Sequence, residues 1–230
     1  MKKALFGILG VSVLVLGILV ALLLTQNHNS PTETITAETE STRAAVVYME
    51  VTKEKELPAW ALTLKSEITE DFLTVNPYSR PGDRLSEICG IVIHYVGNPG
   101  TTAAQNRSYF ENLKDTKKTE ASSHFIVGLD GEIIQCVPLD EIAYASNSRN
   151  ADTISIECCH PDETGKFNDA TLDSLIRLTA YLCLVYDLDP ETDVIRHYDV
   201  TGKLCPKYFV DYENAWTLFK SQVKTKMYDR

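Results

Sequence analysis

The stretch ICGIVIHYV, residues 88–96, most constrains how this 230-residue chain can fold. Its nearly continuous run of β-branched and apolar residues is typical of a strand buried on both faces, and such strands occur mainly in sheets covered by helices. GNPG follows and cannot continue the strand. The next residues, TTAAQNRSYFENL, offer a threonine helix cap at position 101 or 102 and apolar helical positions at Ala103, Phe110 and Leu113. A buried strand followed by a helix indicates an α/β domain.

Further elements follow the same alternation. The run HFIVGLDGEIIQCVPL predicts a hairpin around Asp130-Gly131, and DTISIECC predicts a strand with Ile154, Ile156 and Cys158 on one face and Ser155, Glu157 and Cys159 on the other. A helix is predicted after a cap at Asn168, then a short strand in DVIRHY. In YENAWTLFKSQV, a closing helix is predicted to bury Tyr212, Ala215, Trp216, Phe219 and Val223. We therefore predict one α/β domain over 58–230, a central mixed β-sheet flanked by helices.

The N-terminus predicts a membrane segment ahead of this domain. Residues 4–24 carry no charge, which matches the roughly 20 apolar residues that cross a bilayer. Lys2 and Lys3 precede them and no further basic residue occurs until Arg43, so we expect a single-pass transmembrane signal-anchor over 1–25, with the domain outside the cell membrane. A cleaved signal peptide, giving a secreted protein, is the alternative. Residues 26–57 are rich in Thr and Glu and predict a flexible tether.

Charge and cysteine content narrow the range of partners. The net charge is −10, the sequence pI is about 5.0, and no basic run is interleaved with aromatic residues, so we expect no nucleic-acid partner. The six cysteines do not have the spacing of a small disulfide scaffold. We expect most of them to be small core residues and the domain to be monomeric.

Three residues suggest a metal site. The loop VIRHYDVTGKLCPKYF holds His197, Lys203 and Cys205 close together, and His94 ends the buried strand. Zinc takes imidazole and thiolate ligands, and catalytic zinc sites use three protein ligands, so His94, His197 and Cys205 form a suitable set. Alternatively, His94 is a core histidine bonded to a backbone carbonyl. His28 and His160 are expected to be solvated.

Four blocks give a more specific signal. IVIHYVGNPGTTAAQNRSYFE, SSHFIVGLDGEIIQCVP, TISIECC and VIRHYDVTGKLCP resemble, in order, the zinc-dependent N-acetylmuramoyl-L-alanine amidases, a family that includes phage lysozyme-type amidases and the peptidoglycan recognition proteins. The resemblance covers about residues 85–210. It implies hydrolysis of the amide between N-acetylmuramic acid and L-alanine in peptidoglycan, with muropeptides as partners. The implied site residues are His94, His197 and Cys205 as Zn²⁺ ligands, Glu157 and Lys203 as catalytic groups, and Tyr95, Asn98 and His124 as substrate contacts.

Alternatives accompany several of these roles. Glu157 is expected to take a proton from water and return it to the leaving amine, or else to hold the N–H of a ligand histidine. Lys203 is expected to stabilise the developing oxyanion, or else to be a solvated loop lysine. His124 is expected either to line the cleft or to lie in the core. For the whole chain, the rival functions are a peptidoglycan-binding module without activity, a structural zinc protein, and a zinc peptidase that cuts within the stem peptide.

Overall fold

A computed structural model describes residues 56–229. The predicted transmembrane anchor over 1–25 and nearly all of the predicted tether lie outside these residues. Within the described part of the chain, no helix is both long enough and apolar enough to cross a membrane.

Six strands form one sheet, and the mixed sheet predicted from the sequence is confirmed, although the first strand was not predicted. They are β1 (Thr69–Glu70), β2 (Gly90–Tyr95), β3 (Phe125–Val127), β4 (Ile133–Gln135), β5 (Thr153–Cys158) and β6 (Val194–Arg196). Their order across the sheet is β1-β4-β3-β5-β2-β6. Only the β3–β4 pair is antiparallel among these strands, and it is the hairpin predicted around Asp130-Gly131.

Helices connect and cover the strands. They are α1 (Ala59–Glu67), α2 (Ala103–Thr116), α3 (Asp169–Tyr186), α4 (His197–Thr201), α5 (Lys207–Asp211) and α6 (Glu213–Met227), with a 3₁₀ helix at Asn147–Arg149. The side chain of Thr102 caps α2 in a capping box with Gln105, and Asn168 caps α3. Both predicted caps are confirmed.

The sheet separates two hydrophobic clusters. Ile91, Ile93, Ile154 and Ile156 lie in one cluster with residues of α3 and α6. On the opposite face, Ile126 and Cys159 lie with α2 residues, among them the predicted Ala103, Phe110 and Leu113. The predicted alternation along β5 is thereby confirmed, because Cys158 belongs to the first cluster and Cys159 to the second.

The position of Tyr212 differs from the prediction, whereas the burial of the cysteines agrees with it. Tyr212 was expected in the buried stripe of the closing helix, but it precedes α6, contacts the ring of Tyr208 and is 53% exposed. All six cysteines are free, five are buried and Cys89 is exposed, so the expectation that most are core residues is confirmed.

The parallel strands β5, β2 and β6 bring their carboxyl ends to one edge of the sheet. His94 of β2 lies directly opposite Glu157 of β5, and Ile93 lies opposite Arg196 at the end of β6. In open α/β sheets, ligands bind in the crevice beyond the carboxyl ends of the strands. We therefore expect the functional site at this edge.

Candidate metal centre

Each of three side chains reaches the site from a different backbone element. His94 is the penultimate residue of β2, and His197 begins α4 immediately after β6. Cys205 lies on the loop after α4, where the Tyr198 N–H donates to the Cys205 carbonyl at 2.8 Å and folds the loop back. Arg196, buried and paired with Asp199 and Glu213, fixes the backbone that precedes His197.

The three side chains converge in the interior. Their potential ligand atoms all lie within 4.8 Å of one another, and all three residues are buried. The Cys205 Sγ is 3.8 Å from His94 Nδ1, and the two imidazole centroids are 4.6 Å apart. Two imidazoles and a thiol at such separations form a suitable donor set for a zinc ion.

The electrostatics of the cluster favour neutral imidazoles. Burial is the main cause that holds the pKa of His94 well below its usual range, and the nearby His197 and Lys203 add to it. Burial and the charge of Lys203 also lower the pKa of His197. Among residues 56–229, the buried Nδ1 of His197 finds no hydrogen-bond partner. A buried imidazole nitrogen without a partner is costly unless its lone pair is used, so the cluster fits a cation.

The thiol of Cys205 completes this set. Burial and the nearby Glu157 raise its pKa to about 12, while a backbone hydrogen bond from Tyr95 and the charge of Lys203 act in the opposite direction. A bound divalent cation deprotonates a coordinating thiol outright, so this high pKa does not prevent the sulfur from serving as a ligand.

Glu157 lies beside the cluster without being part of it. Its Oε2 is buried and has no hydrogen-bond partner in the described part of the chain. Burial raises its pKa to about 8, and the charge of Lys203 opposes that rise. The ring nitrogens of the two histidines contact Ser146, Asn147 and Cys205 rather than this carboxylate. The contacts therefore do not support the alternative in which Glu157 is an acceptor that orients a ligand histidine.

A cleft of about 670 Å³ opens onto these groups. The lining includes the three candidate ligands and Glu157, together with Lys203, Tyr95, Glu120, Tyr144 and Asn150 among others. Most of this lining is polar. The cleft therefore gives a hydrated, polar substrate access to the candidate metal centre.

The three residues predicted as substrate contacts do not all lie in the cleft. Tyr95 lines the cleft, whereas Asn98 is exposed on the loop after β2 and is not among the described residues that line it. His124 is buried. Its Nε2 contacts the Glu141 carbonyl at 2.9 Å and its Nδ1 accepts from the Ser155 N–H at 3.0 Å. Because both ring nitrogens are occupied, the structure supports the core alternative for His124 and corrects its assignment as a substrate contact.

The expectation that His160 is solvated is wrong. The residue is 1% exposed, its ring packs against Tyr95 with 5.0 Å between centroids, and its Nδ1 contacts the Asp162 carbonyl at 2.8 Å. The loop after β5 folds back over the ring, which local composition does not reveal. Sequence reasoning also missed Ser146 and Asn147 as partners of the two histidines, because no spacing or motif connects them.

The fold and site define an α/β protein with a candidate two-histidine, one-cysteine metal centre at the carboxyl edge of a mixed sheet. The profile of the family described as N-acetylmuramoyl-L-alanine amidase matches residues 84–208, more than half of the chain. The chain belongs to this family, and the resemblance seen in the four sequence blocks is confirmed.

Individual relatives agree with this assignment. N-acetylmuramoyl-L-alanine amidase BlyA of Bacillus subtilis (strain 168) is 33% identical over 182 residues, covering 70% of this chain and 48% of the relative. CwlL, an N-acetylmuramoyl-L-alanine amidase of Bacillus licheniformis, is 33% identical over 170 residues, covering 68% and 46%. The solved structure of a mutant endolysin from Bacillus subtilis is similar with a TM-score of 0.58 and 28% identity, covering 68% of this chain and 97% of that one. The chain spans about half the length of the curated relatives it matches.

Proposed function

We propose that this protein is a zinc-dependent hydrolase that cleaves the amide bond between N-acetylmuramic acid and L-alanine in peptidoglycan. One observation carries the proposal: two imidazoles and a thiol converge within 4.8 Å beside Glu157, whose Oε2 is buried without a partner in the described part of the chain, in a polar cleft. The relatives named as N-acetylmuramoyl-L-alanine amidases support the choice of bond.

His94, His197 and Cys205 would hold the metal. Zinc bound there would supply Lewis-acid activation of a water molecule and of the scissile carbonyl. Three protein ligands leave a position for water or substrate, whereas structural zinc sites are usually closed by four. Within residues 56–229, the cluster around His94 contains these three donors and no fourth.

Glu157 would move the proton. Its side chain is on the same face of the sheet as His94, since the two residues are directly opposite on parallel strands. It takes a proton from the attacking water and passes it to the leaving nitrogen. A pKa of about 8, raised by burial, suits a group that gains and releases a proton near neutral pH.

Lys203 and Tyr95 would act on the substrate from the cleft wall. Lys203 is exposed, lines the cleft, and is close enough to lower the pKa of both His197 and Glu157. Its ammonium group would stabilise negative charge that develops on the carbonyl oxygen. Tyr95, half-buried and in the same lining, would contact the muropeptide beside the scissile bond.

Digestion of purified peptidoglycan tests the reaction. The full chain with zinc should release stem peptides that carry a free L-alanine N-terminus and leave the glycan strands intact, as read by mass spectrometry. Fragments cut inside the stem peptide would indicate a peptidase instead. Binding without any release would indicate a recognition module, and either result contradicts the proposal. A chelator-treated sample is the matched control.

The N-terminal sequence supports a further part of the proposal, that the enzyme acts outside the cell while held at the membrane. Residues 4–24 are uncharged and long enough to span a bilayer, and Lys2 and Lys3 favour a cytoplasmic N-terminus. These residues lie outside the described part of the chain, and residues 26–57 would then be the tether to the catalytic domain at 58–230.

A further inference from the structure

Two consecutive residues contact the two candidate ligand histidines from outside the metal cluster. The Ser146 Oγ is 3.2 Å from His94 Nε2, and the Asn147 Oδ1 is 3.0 Å from His197 Nε2. Both residues lie where the chain enters the 3₁₀ helix at Asn147–Arg149, about fifty positions from their histidines. One turn therefore reaches both imidazoles on the side away from Cys205.

The contact with Asn147 determines which nitrogen of His197 carries the proton, and the contact with Ser146 is compatible with the same tautomer in His94. A neutral imidazole has one N–H and one lone pair, and an amide oxygen can only accept. His197 therefore donates from Nε2 to Asn147, which leaves the lone pair on its buried, unpartnered Nδ1. For His94, donation from Nε2 to the Ser146 hydroxyl leaves the Nδ1 lone pair directed at the Cys205 sulfur, 3.8 Å away. Both lone pairs then face the metal position.

The turn is held in place independently of the histidines. The Asn150 Oδ1 accepts from the backbone N–H groups of Ala145 at 3.1 Å and Ser146 at 2.6 Å. The Thr153 hydroxyl donates to the Arg149 carbonyl at 2.6 Å and connects the turn to β5. Asn147 has a φ of 53°, a left-handed conformation that asparagine tolerates better than most residues. The turn that carries the two acceptors is thus held by contacts that do not involve the candidate ligands.

We propose that Ser146 and Asn147 are positioning residues that fix the ring orientation of His94 and His197, with Asn147 also fixing the tautomer of His197, and that they thereby set the affinity for zinc. The inference rests on the proposed function only in naming zinc as the metal. Outer-shell partners of ligand histidines orient the ring and raise its basicity, and their loss typically weakens metal binding about 10- to 100-fold.

The test is the zinc dissociation constant of the full chain, measured by competition with a chromophoric chelator. Asn147→Gly removes the acceptor while allowing the left-handed backbone, and Ser146→Ala removes the hydroxyl with little change in volume. Each should weaken zinc binding about 10- to 100-fold. Asn147→Asp keeps an acceptor oxygen and should restore affinity to near that of the original protein. Ser148→Ala, at an exposed neighbouring position on the same turn, is the matched control and should have no effect.

A second readout separates positioning from general stability. The melting temperature of the zinc-free protein should be nearly unchanged in Ser146→Ala, while the visible spectrum of its cobalt-substituted form should shift because the histidine geometry is altered. Zinc affinity within twofold of the original in both Ser146→Ala and Asn147→Gly would overturn the inference. The outcome is independent of the proposed reaction, since a protein that binds zinc but releases no stem peptide refutes the activity and leaves the positioning role standing.

Discussion

At the residue scale, the chemistry depends on side chains that are buried without a full set of partners. The Oε2 of Glu157 and the Nδ1 of His197 lack partners within residues 56–229, although an unsatisfied buried polar group typically costs about 1 to 3 kcal/mol. Such groups persist where a ligand, a metal or a substrate completes them. The contrast with His124 is direct, because both of its nitrogens are satisfied by the protein itself.

The first prediction concerns Glu157→Gln. Glutamine has nearly the same shape, and residue 157 is not one of the proposed ligands, so zinc content by elemental analysis should stay at one ion per chain. Turnover of peptidoglycan should fall by about 10² to 10⁴, the usual contribution of a positioned acid/base group. Glu163→Gln, at an exposed loop position, is the control. Loss of zinc in Glu157→Gln would instead make Glu157 a support for the ligands.

The second prediction is a pH dependence of stability from His124. Burial lowers its pKa from 6.5 to about 4, and the Ser155 N–H directed at Nδ1 leaves no room for a second proton. Between these values the unfolded chain binds the proton and the folded chain does not. Stability from this residue is therefore complete above pH 6.5 and is lost as the pH falls to 4, up to about 3 kcal/mol.

Denaturant unfolding at pH 7 and pH 4.5 measures this effect. His124→Gln should be less stable than the original protein at pH 7, and its stability should fall less on acidification. An equal decrease in both proteins would show that His124 does not contribute to the pH dependence.

At the element scale, the site depends on the close approach of β2 and β6. Ile91 N–H donates to the Asp193 carbonyl at 2.8 Å, and the strands run parallel from there toward His94 and His197. Gly90 permits this approach, since a Cβ at that position would lie 2.7 Å from the Asp193 oxygen. The close contact at Gly90, at the amino end of β2, therefore helps to set the distance between His94 and His197 at the carboxyl ends of the two strands.

The third prediction follows from that contact. Gly90→Ala should force the backbone at Asp193 away and destabilise the protein by roughly 1 to 3 kcal/mol, the usual cost of overpacking. The urea midpoint should fall with an unchanged slope. Ser108→Ala, on the exposed side of α2, should leave the midpoint unaltered. An unchanged midpoint in Gly90→Ala would mean that the two strands can separate without cost.

At the scale of the whole molecule, zinc binding and folding should be coupled. The three candidate ligands come from β2, α4 and the loop after α4, so their geometry exists only in the folded chain. A ligand that binds only the folded state stabilises it by about 2.7 kcal/mol at one hundred times its dissociation constant.

The fourth prediction tests this coupling through Cys205. Adding zinc should raise the melting temperature of the original protein, and Cys205→Ser should abolish most of the increase because a hydroxyl is a much weaker zinc ligand than a thiolate. Cys89→Ser, which alters an exposed thiol, should behave like the original protein. Full zinc retention by Cys205→Ser would remove Cys205 from the ligand set.

The fifth prediction concerns the N-terminal segment. The full chain should sediment with membranes and resist extraction by high salt, because residues 4–24 would span the bilayer. A variant without residues 1–25 should be recovered in the soluble fraction. N-terminal sequencing that finds a mature protein beginning near Asn27 would show that the segment is a cleaved signal peptide.

Much of the fold was determined by local sequence patterns. The β-branched run at 88–96, the Asp130-Gly131 turn and the caps at position 101 or 102 and at Asn168 each act over a few residues, so they predict strands, a hairpin and helix starts correctly. Lys203 and Cys205 lie near His197 for a similarly local reason, because they follow it in the sequence by only six and eight positions. The faces of β5 follow from the two-residue period of a strand.

Only the tertiary structure decided the rest of the site. Ser146 and Asn147 meet their histidines across 52 and 50 residues, and His160 is buried by a loop that folds back onto Tyr95. His124 lies in the core because Ser155 and the Glu141 carbonyl occupy its ring. The physical reason is the same in each case: these contacts depend on strand order and on how loops pack over the sheet edge, and neither leaves a periodic pattern in the residues concerned.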